Sequence, residues 1–135
     1  LTIDRVESRR DLEAFMRIFA SAFGIDEALV ARLVDIEMGM PPDHRERSAA
    51  FLGRLGRRAV ASSGLFASGG VVGLYSVGAL PAARGRGLGR AMTVAALRDG
   101  RDRGYRIGVL QGKEMGVPIY RRLGFREVSR FEIYT

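Results

Sequence analysis

The chain has 135 residues, 47% of them hydrophobic, which suits a single domain with a buried core, and no apolar run approaches the roughly 20 residues that cross a bilayer. Cysteine is absent, which excludes disulfides, thiolate metal sites and a cysteine nucleophile. The net charge of +7 can attract polyanions, but no block of like charges interleaved with aromatic residues accompanies it, so charge alone does not favour a nucleic-acid partner.

The amino-terminal part of the chain predicts a short strand and two amphipathic helices. Because no long apolar stretch of the signal-peptide kind precedes them, we expect a cytoplasmic location and no membrane partner. Ser8 stands three residues before Asp11, as an N-cap does, and the apolar residues that follow at spacings of three and four end at Gly24. Asp26 can cap a second helix, which the proline pair at 41–42 would end.

The segment 41–47 is predicted to be a loop, and it contains the only histidine of the chain, His44. Its neighbours in the sequence are charged, and no second ligand residue accompanies it in a metal-binding pattern. We therefore assign no metal to this loop.

From Phe51 onward, the apolar residues change from a helical period to alternation. Three strands of an antiparallel meander are predicted, followed by a helix, a strand, a short helix and a last strand. Their ranges are 51–55, 59–66 and 71–80 for the meander, 88–103 for the helix, 105–111 for the strand, 117–123 for the short helix and 125–134 for the last strand. This order predicts one domain over residues 1–135, of the α/β (α+β) class, in which helices flank a mixed, mainly antiparallel sheet.

The segment 77–90 passes from a strand through a glycine-rich turn into a helix, which is a geometry that suits a phosphate. Gly85, Gly87 and Gly89 let the backbone bring N–H groups close to an anion, and the helix start adds unpaired donors and the positive end of its dipole. A P-loop would need Gly-Lys-Ser or Gly-Lys-Thr where this chain has Leu-Gly-Arg at 88–90. A dinucleotide fold would need an acidic residue about 20 positions further on, and the strand there has none.

Two motifs in this part of the chain resemble those of the GNAT superfamily of acetyl-coenzyme-A-dependent N-acetyltransferases. The cofactor motif of that family, Arg/Gln-x-x-Gly-x-Gly/Ala, is met by Arg84, Gly87 and Gly89. Downstream, the segment 111–125, which ends in Ile-Tyr-Arg-Arg-Leu-Gly-Phe, looks like the family's second signature of a strand, a short helix and Leu-Tyr-x-x-Leu-Gly-Phe. Two motifs in this order and spacing are more specific than either alone, and together they imply the fold and the N-acetyl transfer of that family.

The resemblance implies that acetyl-coenzyme A, as co-substrate, lies where the strand 71–80 and the strand 107–111 splay apart. Backbone groups of Gly78, Ala79 and Leu80 would pair with the pantetheine arm and the thioester carbonyl, and such donors stabilise the charge that develops as an amine attacks. The pyrophosphate would lie in the glycine-rich turn, which comprises Arg84, Gly85, Arg86, Gly87, Leu88, Gly89 and Arg90.

Tyr120 occupies the tyrosine position of the family, which implies that its phenol donates a proton to the departing thiolate. A general base must also take a proton from the attacking ammonium, because only a neutral amine is nucleophilic. Glu114, six residues before Tyr120, is a candidate for that base. Tyr75, Ser76 and bulk water are the alternatives, and the sequence leaves the choice open.

Two features depart from the family pattern. Lys113, the only lysine of the chain, stands where many members have asparagine, and it could reach a cofactor phosphate or point into solvent. The carboxyl end has one predicted strand after Gly124 where many members have a hairpin, which would leave a sheet edge for the second copy of a homodimer.

The sequence thus predicts direct transfer of an acetyl group from acetyl-coenzyme A to a primary amine of an unidentified small molecule or peptide, with no metal and no covalent acyl-enzyme. Gly78 and Ala79 are small and leave room for a longer acyl group. The alternative is a noncatalytic acyl-coenzyme-A sensor or a subunit of a complex. A nucleic-acid-binding module, which rests on charge alone, is a third interpretation.

Overall fold

Five strands form one sheet, in which they lie in the order that they have along the chain. The structure, a computed structural model, describes residues 1–113 and 116–129. The strands are β1 Thr2–Arg5, β2 Ser48–Leu55, β3 Arg58–Ser68, β4 Val71–Ala79 and β5 Gly108–Leu110. The pairs from β1 to β4 are antiparallel, whereas β4 and β5 are parallel. The mixed, mainly antiparallel sheet expected from the sequence is confirmed.

Helices cover both faces of this sheet, because alternate strand residues point to opposite sides and each side buries an apolar surface. The helices are α1 Arg9–Phe23, α2 Val30–Met38, α3 Pro42–Arg47, α4 Leu88–Asp102 and α5 Val117–Arg122. Phe51 of β2 belongs to the core beneath α4, together with Met92, whereas its neighbour Leu52 belongs to the core beneath α1 and α2, together with Phe15 and Val34. Among the described residues, no helix is long and apolar enough to span a membrane.

The first helix begins and ends as its sequence predicts. The side chain of Ser8 accepts a hydrogen bond from the Asp11 N–H at 3.1 Å, and Gly24 follows the helix with a φ of 68°, a left-handed conformation that favours glycine. Asp26 also caps as expected, accepting from the Ala28 N–H at 2.9 Å. It begins a turn of 3₁₀ helix, Glu27–Leu29, that leads into α2.

The segment expected to be a loop at 41–47 is helical, so that prediction was wrong. Pro42 occupies the first turn of α3, where its missing N–H leaves no hydrogen bond unmade, and an ion pair of 3.3 Å joins Asp43 to Arg47 one turn later. The proline pair therefore separates two helices instead of opening a loop, and α2 ends earlier than expected, at Met38.

The carboxyl-terminal strand expected over 125–134 is not observed where the chain can be followed. Residues 125–129 are neither helix nor strand, and residues 130–134 lie outside the described residues. The sheet edge expected for a homodimer partner is therefore untested, and β5 is the last strand on that side among the described residues.

The two parallel strands stay together for a short distance only. Val72, Gly73 and Leu74 pair with β5, but β4 continues to Ala79 without a partner on that side in the described chain. After β5 the chain leaves the sheet at residues 111–113. The second half of β4 thus borders an opening, and the strand leads directly from it into the glycine-rich turn.

The cap of α1 gives a first test of the fold. We expect Ser8→Ala to destabilise the protein by about 1 kcal/mol, because the Asp11 N–H loses its acceptor, whereas Ser8→Asp should stay close to the unmodified protein. Urea unfolding of the three proteins measures the difference. Equal stability of the alanine and aspartate variants would contradict the role given to this cap.

Candidate functional site

The glycine-rich turn forms a run of unpaired backbone donors. A short 3₁₀ turn, Pro81–Ala83, carries the chain from β4 toward α4, and Gly85 and Gly87 follow with φ values of 81° and 74°. The N–H groups from Gly85 to Arg90 have no acceptor among the described residues. Because the first N–H groups of a helix point out along its axis, this turn and the start of α4 present donors that a negatively charged group could accept.

The arginines of this turn add exposed positive charge. Arg84, Arg86 and Arg90 are all exposed, and none of them forms an ion pair with a described carboxylate. Leu88, the first residue of α4, is 4% exposed and packs into the core between this helix and the sheet, which fixes the helix on the sheet. The backbone of the turn is therefore anchored, while its cations stay available to an anion.

A bulge interrupts β4 just before this turn. Tyr75 lies opposite Gly64 of β3 and Gly78 lies opposite Ser62, so β4 contains one residue more than its partner in this interval. Ser76, inside the bulge, has a φ of 56°, which is rare for a residue with a side chain. The hydroxyl of Ser62, buried in β3, donates to the Ser76 carbonyl at 2.7 Å and holds the bulge in place.

The bulge changes which β4 residues face α1. Before it, Leu74 faces the core beneath α4. After it, Gly78 faces α1 so closely that a Cβ there would lie 2.7 Å from the Cβ of Ala22, and 3.9 Å from the ring of Phe23. Glycine is thus required at 78 by the approach of α1. The backbone of Gly78 and Ala79 pairs with β3 on one side and lies at the opening, without a described partner strand, on the other.

Tyr120 lies on α5, over the segment that follows β5. Its ring makes an edge contact with Phe125 at 6.1 Å between centroids, and it fills the space that a Cβ on Gly112 or Gly116 would occupy. Burial raises the pKa of the Tyr120 phenol, so the phenol keeps its proton at neutral pH. The neighbouring Ile119 reaches to 3.8 Å from the Cβ position of Gly89, which sets α5 against the start of α4.

Lys113 is an exposed residue whose side chain lies against α1. Its Nζ lies 4.2 Å from the centroid of the Phe23 ring, a cation–π contact between the segment after β5 and the last residue of α1. Lys113 therefore lies on the α1 side of the opening and not at the glycine-rich turn.

The remaining candidate residues are Glu114, Tyr75 and His44. Glu114 lies outside the described residues. Tyr75 is 58% exposed, and its ring folds back over Gly73 of the same strand. His44 lies on α3, 3.1 Å from Glu37 and in ring contact with Phe66, at the end of β3 that is farthest from the turn. Groups of acidic and histidine side chains that could hold a metal ion are absent from the described residues.

Sequence reasoning missed the bulge and the residues that hold it. Nothing in the local sequence marks Ser76 for a positive φ, since serine is not a residue that adopts this conformation readily. Two consecutive serines, Ser62 and Ser63, in the middle of a mainly apolar strand are the available signal, because a fully buried hydroxyl usually has a partner.

Comparison with known proteins identifies both a family and a fold. A sequence model described as the acetyltransferase (GNAT) family matches residues 12–125. Among curated proteins, none matches this chain.

Solved structures match the chain over nearly its whole length. A glucosamine-6-phosphate N-acetyltransferase from Arabidopsis thaliana has a TM-score of 0.80 at 11% identity. The match covers 98% of this chain and 97% of that protein. An aminoglycoside antibiotic 6′-N-acetyltransferase from Acinetobacter haemolyticus has a TM-score of 0.76 at 15% identity, with 100% and 97% covered. A protein from Clostridium acetobutylicum described as a predicted acetyltransferase, solved with acetyl-coenzyme A, has a TM-score of 0.72 at 12% identity. The match covers 99% of this chain and 96% of that protein. At these identities, the likeness shows the fold.

Two glycines of the turn should respond oppositely to the same substitution. We expect Gly87→Ala to destabilise the protein by about 1–2 kcal/mol, because its φ of 74° is strained for any residue with a Cβ. Gly89→Ala should stabilise by about 0.5–1 kcal/mol, because position 89 is helical and its Cβ would meet Ile119 at an ordinary 3.8 Å. Urea unfolding compares the two, and destabilisation by both would show that the helix start is placed differently.

The two buried serines of β3 offer a matched pair of variants for the bulge. Ser62→Ala removes the donor to the Ser76 carbonyl and should cost about 1–3 kcal/mol of stability. Ser63→Ala removes a buried hydroxyl that has no described hydrogen-bond partner, so it should be neutral or stabilising by up to about 1 kcal/mol. Chemical denaturation of both variants tests this ordering, which a larger loss from Ser63→Ala would overturn.

Proposed function

This chain belongs to the acetyltransferase (GNAT) family, and from that premise we propose that it transfers an acetyl group from acetyl-coenzyme A directly to a primary amine. The observation that carries the proposal is the parting of β4 from β5 beside a run of free backbone N–H groups. An extended ligand arm could lie along β4 as an added strand would, while its pyrophosphate occupied the turn.

In this proposal, the turn holds the charged end of acetyl-coenzyme A. The N–H groups of Gly85, Gly87, Leu88 and Gly89 bind phosphate oxygens, and Arg84, Arg86 and Arg90 surround them with positive charge. The side chain of Leu88, at the start of α4, keeps this backbone in place by packing into the core between α4 and the sheet. Binding thus depends mainly on backbone geometry and only secondarily on any one arginine.

The unpaired half of β4 positions the thioester. Backbone groups of Gly78, Ala79 and Leu80 would contact the pantetheine arm and the thioester carbonyl, and a donor aimed at that oxygen stabilises the charge that develops during attack. The bulge at Ser76 supports this role, because it turns the backbone after it and is itself held in place by Ser62. A neutral amine then attacks the carbonyl carbon, and the bond to sulfur breaks.

Tyr120 is the proposed general acid, which gives its proton to the departing thiolate. Its half-buried ring and its raised pKa support this, since the acid must stay protonated at the pH of the reaction. The attacking ammonium must lose a proton to a general base. Glu114, Tyr75, Ser76 and water are the candidates for that base.

The acceptor is proposed to be an amine of a small molecule or peptide. Two structural neighbours support an amine by their descriptions, one as an aminoglycoside antibiotic 6′-N-acetyltransferase and one as a glucosamine-6-phosphate N-acetyltransferase. Because both are less than 25% identical to this chain, their acceptors are not carried over to it.

Removal of the phenol hydroxyl tests the proposed general acid. We expect Tyr120→Phe to lower kcat by about 10²- to 10⁴-fold and to leave the Kd for acetyl-coenzyme A within about threefold, because the hydroxyl acts on the leaving group. Thiol release against a panel of primary amines gives kcat, and calorimetry gives Kd. Tyr105→Phe is the matched control, since Tyr105 is a half-buried tyrosine at the opposite end of β5.

The outcomes separate the proposals. Binding without turnover on any amine would favour the noncatalytic sensor, and absence of acetyl-coenzyme A binding would contradict the proposed function. Equal loss in both phenylalanine variants would assign Tyr120 a packing role.

The pH dependence of the reaction gives a second test of Tyr120. Activity should rise with pH as the acceptor amine loses its proton. It should fall only above about pH 10, because burial raises the pKa of the phenol above the ordinary tyrosine value and the acid is lost only when the phenol ionises. A kcat profile measured from neutral to alkaline pH checks this, and an alkaline fall well below pH 10 would point to a different acid.

A further inference from the structure

The only lysine of the chain is a cation without a described carboxylate partner at the proposed active site. The chain has 15 acidic residues, yet Lys113 forms no ion pair with any that the structure describes. Its ammonium lies 4.2 Å from the centroid of the Phe23 ring instead. A cation–π contact holds an ammonium in place but leaves its three donors free for an anion.

The position of Phe23 fixes the side of the opening on which this cation lies. The ring of Phe23 is 3.9 Å from the Cβ position of Gly78, on the face of β4 that α1 covers. The glycine-rich turn lies further along the chain, at the start of α4, and α4 covers the opposite face of the sheet. The ammonium is therefore beside the part of β4 proposed to hold the thioester, and away from the site of the pyrophosphate.

The surroundings of Lys113 on this side are aromatic. Phe19 and Phe23 lie one helical turn apart on α1, with ring centroids 4.9 Å from each other, and both are only half-buried. An aromatic surface beside an ammonium that has no described carboxylate partner is complementary to a molecule that has an apolar body and a carboxylate. A polyamine or another polycation would instead bring like charge to Lys113 and leave the apolar surface unfilled.

We propose that Lys113 binds a carboxylate of the acceptor, which makes the acceptor an amino-acid-like compound: a primary amine with a nearby carboxylate and an apolar side chain. This inference rests on the proposed function. In this proposal, Lys113 contacts the carboxylate of the acceptor and determines specificity. The reacting amine meets the thioester at Gly78 and Ala79.

Matched pairs of amines test this inference although the natural acceptor is unidentified. We would measure kcat/KM by thiol release for phenylalanine against 2-phenylethylamine and for leucine against 3-methylbutylamine, with spermidine as a polycation, and express rates per neutral amine. Within each pair the molecules differ only in the carboxylate. The wild-type protein should prefer the carboxylate-bearing member by about 10- to 100-fold, the range expected for one charged hydrogen-bonded contact.

Variants of Lys113 show whether this residue carries the preference. Lys113→Met should remove it mainly through a higher KM for the amino acids, Lys113→Arg should retain most of it, and Lys113→Glu should reverse it toward the amines without a carboxylate. Arg17→Met is the control, because Arg17 is an exposed residue of α1 and its loss changes the net charge by the same amount. The Kd for acetyl-coenzyme A should stay within about threefold in all of these variants, since Lys113 is placed away from the phosphates.

Each failure has a distinct meaning. Equal rates within the pairs, a preference that survives in Lys113→Met, or turnover of spermidine alone would overturn the inference and leave the proposed acetyl transfer standing. Absence of turnover for both amino acids in a protein that binds acetyl-coenzyme A would also overturn it, because these compounds are the class that it names. A wild-type protein that does not bind acetyl-coenzyme A would remove the proposed function, and this inference with it.

Discussion

The separation of β4 from its parallel partner after Leu74 is the constraint on which the rest of the site depends. A strand inside a sheet uses its N–H and C=O groups on both sides, so it has none to offer to a ligand. By losing β5, the second half of β4 gains a free edge that is still held rigidly by β3 on its other side. The bulge at Ser76 and the hydroxyl of Ser62 then determine how that edge is aimed.

The glycine-rich turn likewise depends on backbone geometry more than on side chains. Position 87 needs a left-handed φ, which only glycine adopts without strain, whereas position 89 is helical and has space for a methyl group. This difference accounts physically for a motif that specifies glycine at the first of these positions and accepts glycine or alanine at the second. Arg84, Arg86 and Arg90 are exposed, so the geometry of the N–H groups is set by the backbone and by buried Leu88 and not by the arginine side chains.

Features that depend on neighbours in the chain were predictable from the sequence, and features that depend on contacts across the sheet were not. The caps at Ser8 and Asp26, the stop at Gly24 and the approximate limits of α4 follow from local rules of hydrogen bonding and periodicity. The helix α3 was missed because a proline pair reads as a break, although Pro42 also suits a helix start. The bulge could not be seen, since a one-residue mismatch between strands exists only once β3 and β4 are paired.

Lys113 shows how far a family resemblance reaches. The family motif identifies the position seven residues before Tyr120, where Lys113 replaces the family's asparagine. It does not predict the direction in which the flexible lysine side chain points. Its contact with Phe23 could not be inferred from sequence because the two residues come from distant parts of the chain and meet only across the opening. The free backbone N–H groups at the start of α4 suit a phosphate group. The ammonium of Lys113, beside aromatic rings on the α1 side, suits a carboxylate. In the proposed reaction the amine would meet the thioester between these two places. A molecule that presented its carboxylate to Lys113 would then approach from the side opposite to the phosphates, and the two ligands would not compete for the same charge.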